Sequence, residues 1–168
     1  MSLELLKRLD ASSVDLSFKR YHNQTTSAVF MGGGMVVKHN GEKVNINVTL
    51  EWEIESVIEN MDGGKLNPGN ILKQAIRIPA VVTGKDEHGQ ELAQPDGSEM
   101  ATWRLNDLAY AALALGHPRP KGDEPAPMPD DSDIGKRVNI LLTYKPDRED
   151  PNDRSKGNQN FRISAIKA

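Results

Sequence analysis

Strict alternation of apolar and polar side chains is the strongest signal along this chain. In KVNINVTLEWEI, Val44, Ile46, Val48, Leu50, Trp52 and Ile54 fall on one side. Lys43, Asn45, Asn47, Thr49, Glu51 and Glu53 fall on the other, and Glu55 follows in phase. A period of two held over six repeats predicts a long antiparallel strand with one buried and one wet face. Asn40-Gly41 just before it predicts a two-residue hairpin turn, because both residue types accept positive φ. AVFMGGGMVVKHN is then the partner strand, and its three glycines predict a kink or a close approach of backbones.

The flanking patterns fill in the architecture. MSLELLKRLD is patterned as a short amphipathic helix, and Val14, Leu16 and Phe18 alternate as an early strand would. In ILKQAIRIPAVVTG the second half reads as a strand, whereas the turn-rich GKDEHGQELAQPDGSE reads as a mobile connection. A helix is predicted over about 103–116, with Leu105, Leu108, Ala109, Ala112 and Leu113 on one face. Gly116 stands where a C-terminal glycine cap belongs, and Pro118 forbids continuation. The stretch 117–133 holds five prolines and five acids in 17 residues, the composition of a flexible insertion that packs no core.

Two alternating runs close the chain. Val138, Ile140, Leu142 and Tyr144 oppose Arg137, Asn139, Leu141, Thr143 and Lys145. Phe161, Ile163 and Ala165 oppose Asn160, Arg162 and Ser164. The whole predicts one domain over 1–168 of β-rich α+β class. It is an OB-like antiparallel barrel or curved sheet, with one main helix before a C-terminal hairpin.

Composition narrows the functional classes. With 27% charged and 37% hydrophobic residues, the chain has the balance of a soluble globular protein. It contains no cysteine, which excludes disulfides, thiolate metal sites and a cysteine nucleophile. No apolar run is long enough to span a membrane, and the first residues lack the apolar core of a secretion signal, so a cytoplasmic location is expected. The net charge of −3 conceals an asymmetry: residues 1–135 carry −7 and residues 136–168 carry +4. An acidic body with a basic end points to an anionic partner at the final hairpin.

Catalytic constellations fail on their own chemistry. MGGGMVV lacks the Gly-Lys-Ser/Thr and the following helix that a phosphate loop needs. His22, His39, His88 and His117 have no helical pairing and no carboxylate at ligand spacing, the pattern of surface histidines. DREDPNDRSKGN has Asn152 where a calcium loop needs glycine, and no glutamate at its twelfth position. Glu51, Glu53 and Glu55 could gather a divalent ion as in a nuclease, but no lysine or histidine stands beside them; a solvated acidic face is the better account. There is no nucleophile elbow. The expectation is a protein that is not an enzyme, with no cofactor and no metal.

The final hairpin offers binding chemistry instead. Arg137, Lys145 and Arg162 lie on its polar face, and the loop adds Arg148, Arg154 and Lys156. Cations for phosphates, amides and hydroxyls for hydrogen bonds, and aromatics for stacking are what single-stranded nucleic acid requires. Tyr144 and Trp103 are the stacking candidates; alternation leaves both Tyr144 and Phe161 divided between core and ligand.

LNDLAYAALALGHP, the acidic proline-rich spacer, Gly135-Lys136-Arg137-Val138 and the final strand Asn158 to Ile163 follow one another in a telling order. Over about the last 65 residues this order resembles small phage-encoded single-stranded-DNA-binding or recombination-accessory proteins. The resemblance implies an OB-type barrel, action in replication or recombination in the host cytoplasm, and phage or host replication proteins as partners. A homo-oligomer is compatible with that class, and no membrane is involved. The ending ISAIKA lacks the acidic tail with which many such proteins recruit partners. The alternative is a protein-interaction module, either a phage structural component or an inhibitor of a host enzyme or defence complex, since the acidic strand face suits mimicry of nucleic acid.

Overall fold

The computed structural model describes residues 20–153 and 156–166. The expected N-terminal helix, the strand around Val14, Leu16 and Phe18, and Arg154 lie outside the described residues. The elements in chain order are β1 (Gln24–Asn40), β2 (Lys43–Ile54), β3 (Ile58–Glu59), β4 (Lys65–Leu66), β5 (Ile71–Lys85) and β6 (Glu91–Pro95). They continue with α1 (Glu99–Ala114), a 3-10 turn (Asp131–Asp133), β7 (Arg137–Lys145) and β8 (Asn158–Ala165). β3 and β4 form a small separate hairpin. The other six strands make one antiparallel sheet in the order β6-β5-β2-β1-β7-β8.

β2 follows its alternation: Ile46, Leu50, Trp52 and Ile54 are buried, with Val44 and Val48 half-buried on the same side. Trp52 is the centre of the core. Its ring lies 5.1 Å from that of Phe30, and its indole N–H donates to Gln74 Oε1 at 3.1 Å. β5 extends over the whole of Ile71–Lys85, rather than the second half alone, because Ile71–Ala80 pairs with β2 throughout. Gln74 occupies an inward position among Leu72, Ile76, Ile78 and Ala80, and a polar letter there breaks the apolar rhythm. A buried polar group in such a place is stable when it is hydrogen-bonded.

Three other boundaries differ from expectation. The β1–β2 turn is Gly41-Glu42, closed by Asn40 pairing with Lys43. Only Gly41 has positive φ (64°), which is the II′ rather than the I′ pattern. The stretch after β5 returns as strand β6, paired with Ala80 to Lys85; it has too few apolar residues to announce itself. α1 begins at Glu99, because the Ser98 side chain accepts from Ala101 N–H and caps it. Its buried face is Ala101, Leu108, Ala111 and Ala112, rotated from the expected one. Gly116, with φ 102°, terminates it as predicted.

The sheet is strongly curved. Three strand spacings separate β1 from β6, about 14 Å if flat, yet His39 Nε2 reaches Glu91 Oε1 at 2.8 Å. α1 packs on both β5 and β8, which are four places apart in the order. Among the described residues no pairing of β8 with β5 or β6 closes the sheet, and no helix is long and apolar enough to cross a membrane.

Candidate nucleic-acid interface

The β7–β8 hairpin forms as its alternation requires. Val138, Ile140 and Leu142 are wholly buried, and Phe161 and Ile163 pack half-buried against them. The register pairs Leu141 with Arg162, Thr143 with Asn160 and Lys145 with Asn158. These pairs share the outward face. It therefore presents two cations, two amides and a hydroxyl in a row, and no strand position on that face of β7 or β8 is acidic. Two clamps fix the base of the hairpin: Tyr144 N–H donates to Asn23 Oδ1 at 2.9 Å, and Tyr21 N–H to Gln159 Oε1 at 2.6 Å.

The row ends at an open polar recess lined by Lys145, Arg148, Lys156 and Asn158, with Asp147 and Glu149. Asp147 Oδ1 is turned to the loop backbone, accepting Glu149 N–H at 2.8 Å and Asp150 N–H at 3.0 Å. Lys156 Nζ lies 3.2 Å from Asp150 Oδ2, a half-exposed pair that water screens. Lys145 and Arg148 are exposed.

Arg137 stands apart from this group. Its Nε and Nη2 donate to Glu55 Oε1 and Oε2 at 2.9 and 2.5 Å. Hydrogen bonding from Arg137 holds the Glu55 carboxyl below the ordinary carboxylate range. The same pair ties up one of the three carboxylates of the β2 acidic row.

Tyr144 falls on the inward side, and its hydroxyl lies against the Gly157 backbone: a Cβ at Gly157 would be 2.1 Å from it. The half-buried ring thus packs against Gly157 of its own loop. Gly157→Ala is expected to displace that ring and cost about 1–3 kcal/mol, read by denaturant unfolding. Unchanged stability would mean the ring is not held there.

The aromatic surface is on α1. Trp103 is 57% and Tyr110 62% exposed, and at i, i+7 they share the face opposite the core. Tyr110, Phe161 and Arg162 line one cleft between α1 and β8, together with Asp107. Burial in that cleft raises the Asp107 carboxyl above its usual range, against the pull of Arg104. Sequence reasoning found Trp103 and missed Tyr110; the seven-residue spacing on the solvent side of the helix was the available signal.

Among the described residues, His117, Asp130 and Asp133 form a group whose possible ligand atoms lie within 4.8 Å of one another. Their bonding is that of a lock. Asp133, wholly buried, takes Lys136 Nζ at 2.8 Å on one oxygen; the other lies 2.7 Å from His117 Nε2 and 2.9 Å from Asp130 N. Asp130 in turn binds Ser132 through its backbone N–H and hydroxyl. An ammonium already sits on the only buried carboxylate of the group, which disfavours a divalent cation there. His117 is therefore paired with a buried acid rather than a plain surface histidine, whereas His39 stays exposed beside Glu91. The lock also ties the end of the 117–133 insertion to the end of α1 and the start of β7.

No protein-family model matches this chain, and neither does any curated protein.

Proposed function

We propose that the protein is a non-catalytic single-stranded-nucleic-acid-binding protein of the kind phages encode for replication or recombination, acting in the host cytoplasm. One observation carries this reading: the acid-free outward row Lys145–Asn158, Thr143–Asn160 and Leu141–Arg162, which runs into the recess holding Arg148 and Lys156. Cations on this row would neutralise phosphates while the amides hydrogen-bond to bases. Tyr110, which shares a cleft with Arg162, would supply an exposed ring face for stacking, contributing on the order of 1–3 kcal/mol. The strand order adds support. Leaving aside β6, the five main strands run third-second-first-fourth-fifth with the helix between third and fourth, the order of an OB barrel. In such barrels the loop between the last two strands takes part in binding oligonucleotides.

The triple variant Lys145→Ala/Arg148→Ala/Arg162→Ala tests this. Removing three phosphate contacts is expected to flatten the slope of log affinity against log salt by about 2 for a single strand. Fluorescence anisotropy with a labelled oligonucleotide reads it, and an unchanged slope would refute the placement.

A protein-interaction role has one observation of its own. Val81, Val82 and Leu92 are 50%, 42% and 47% exposed on the β5–β6 hairpin at the sheet edge, where a second chain could add.

A further inference from the structure

α1 leaves part of the concave side of the sheet unfilled. Leu105 and Leu108 of α1 form one wall of a cavity of about 560 Å³, whose other walls include Phe30, Ile46, Leu50 and Ile78. Beyond α1 the cavity is covered by Met128 and Pro129 from the proline-rich segment. That cover is held in place from below, because the Asp133 lock fixes the turn that follows it. Met35 and Met128, 71% and 37% exposed, mark the mouth.

Protein interiors are close-packed and leave few voids larger than a water molecule, whereas ligand pockets commonly measure about 300–1,000 Å³ and are mainly apolar. Methionines at an opening adapt to ligands of different shape. Among the described residues, the charged side chains lining the cavity are two acids, Asp130 and Asp131. Asp130 Oδ1 accepts from the Ser132 N–H and hydroxyl, and Asp131, exposed beside it, is the carboxylate with which we pair a ligand head group.

We propose that this cavity binds a compact apolar molecule bearing a cationic head, an aryl or alicyclic amine, with the amine at Asp131 and the ring system between α1 and β2. The site is separate from the β7–β8 face and does not depend on nucleic-acid binding.

The test uses the full chain labelled at methionine methyls, titrated with 1-naphthylmethylamine, 1-naphthylmethanol and 1-naphthoate. Saturable shifts are expected at Met35 and Met128 but not at Met61 or Met100. The amine should bind about fivefold tighter than the alcohol, the scale of one exposed charge pair, and the carboxylate weakest. Asp131→Asn should reduce the amine to the affinity of the alcohol. Ala93→Phe fills the inner wall and should abolish binding of all three; Val48→Trp serves the same purpose if that variant does not fold. The proposal is overturned if no methyl shift saturates, if the carboxylate binds as tightly as the amine, or if a folded filled variant binds unchanged.

Discussion

Gly33→Ala is expected to abolish stable folding, at a cost above about 3 kcal/mol, while Gly34→Ala changes stability by less than about 0.5 kcal/mol. The two residues are neighbours in sequence and opposite in surroundings. A Cβ at Gly33 would lie 2.2 Å from the Thr49 carbonyl oxygen, a backbone atom of β2 that no rotamer change can move aside. Gly33 pairs with Leu50 beside an irregularity between Phe30 and Gly32, so relief would require unpairing β1 from β2 near Trp52. At Gly34 the same atom meets nothing within 4 Å. Urea unfolding of both variants decides the point; equal stabilities would mean that β1 and β2 do not approach so closely.

Asp133→Ala is expected to cost about 2–3 kcal/mol, with Asp133→Asn retaining part of the loss. Removing the carboxylate strands His117 and the Asp130 N–H beneath the segment it anchors, while Lys136, half exposed, returns to water. The pH dependence follows from the same group. Burial alone would raise its pKa, but Lys136, the Asp130 N–H and His117 together hold it at about 2, below the ordinary 3.8. A carboxyl depressed on folding contributes stability above its unfolded pKa and loses it as pH falls through the folded value. About 2 kcal/mol should therefore disappear between roughly pH 4 and pH 2 in the native chain. Thermal unfolding should show that loss reduced in Asp133→Asn; identical acid profiles would contradict the lock.

Much of the sheet was legible because its core strands obey the period of two without interruption. β2 and β7 have apolar or aromatic inward positions throughout, β8 does so at Phe161 and Ile163, and three adjacent glycines announced the close backbone approach of β1. What escaped notice depended on partners distant in sequence. Gln74 looks like a solvent residue until Trp52, 22 positions away, supplies its hydrogen bond. β6 is defined by pairing with β5 more than by its own composition. Asp133 reads as one more acid in an acidic stretch, since nothing local shows that His117 and Lys136 close over it. In the β7–β8 hairpin, Lys145, Arg148 and Lys156 line one recess because one loop carries them, and Arg162 follows on the outward face of β8. The fate of Arg137 was set by Glu55, 82 residues away, and that of Tyr144 by the return of the loop over its ring.

We propose that the β7–β8 face binds single-stranded nucleic acid through its phosphates. The most direct test is the affinity of the wild-type protein for a labelled single-stranded oligonucleotide and for the matching duplex, each at 50 and 200 mM salt. Binding that favours the single strand and weakens about tenfold or more at the higher salt is the predicted result. Absence of binding at the lower salt would contradict the account.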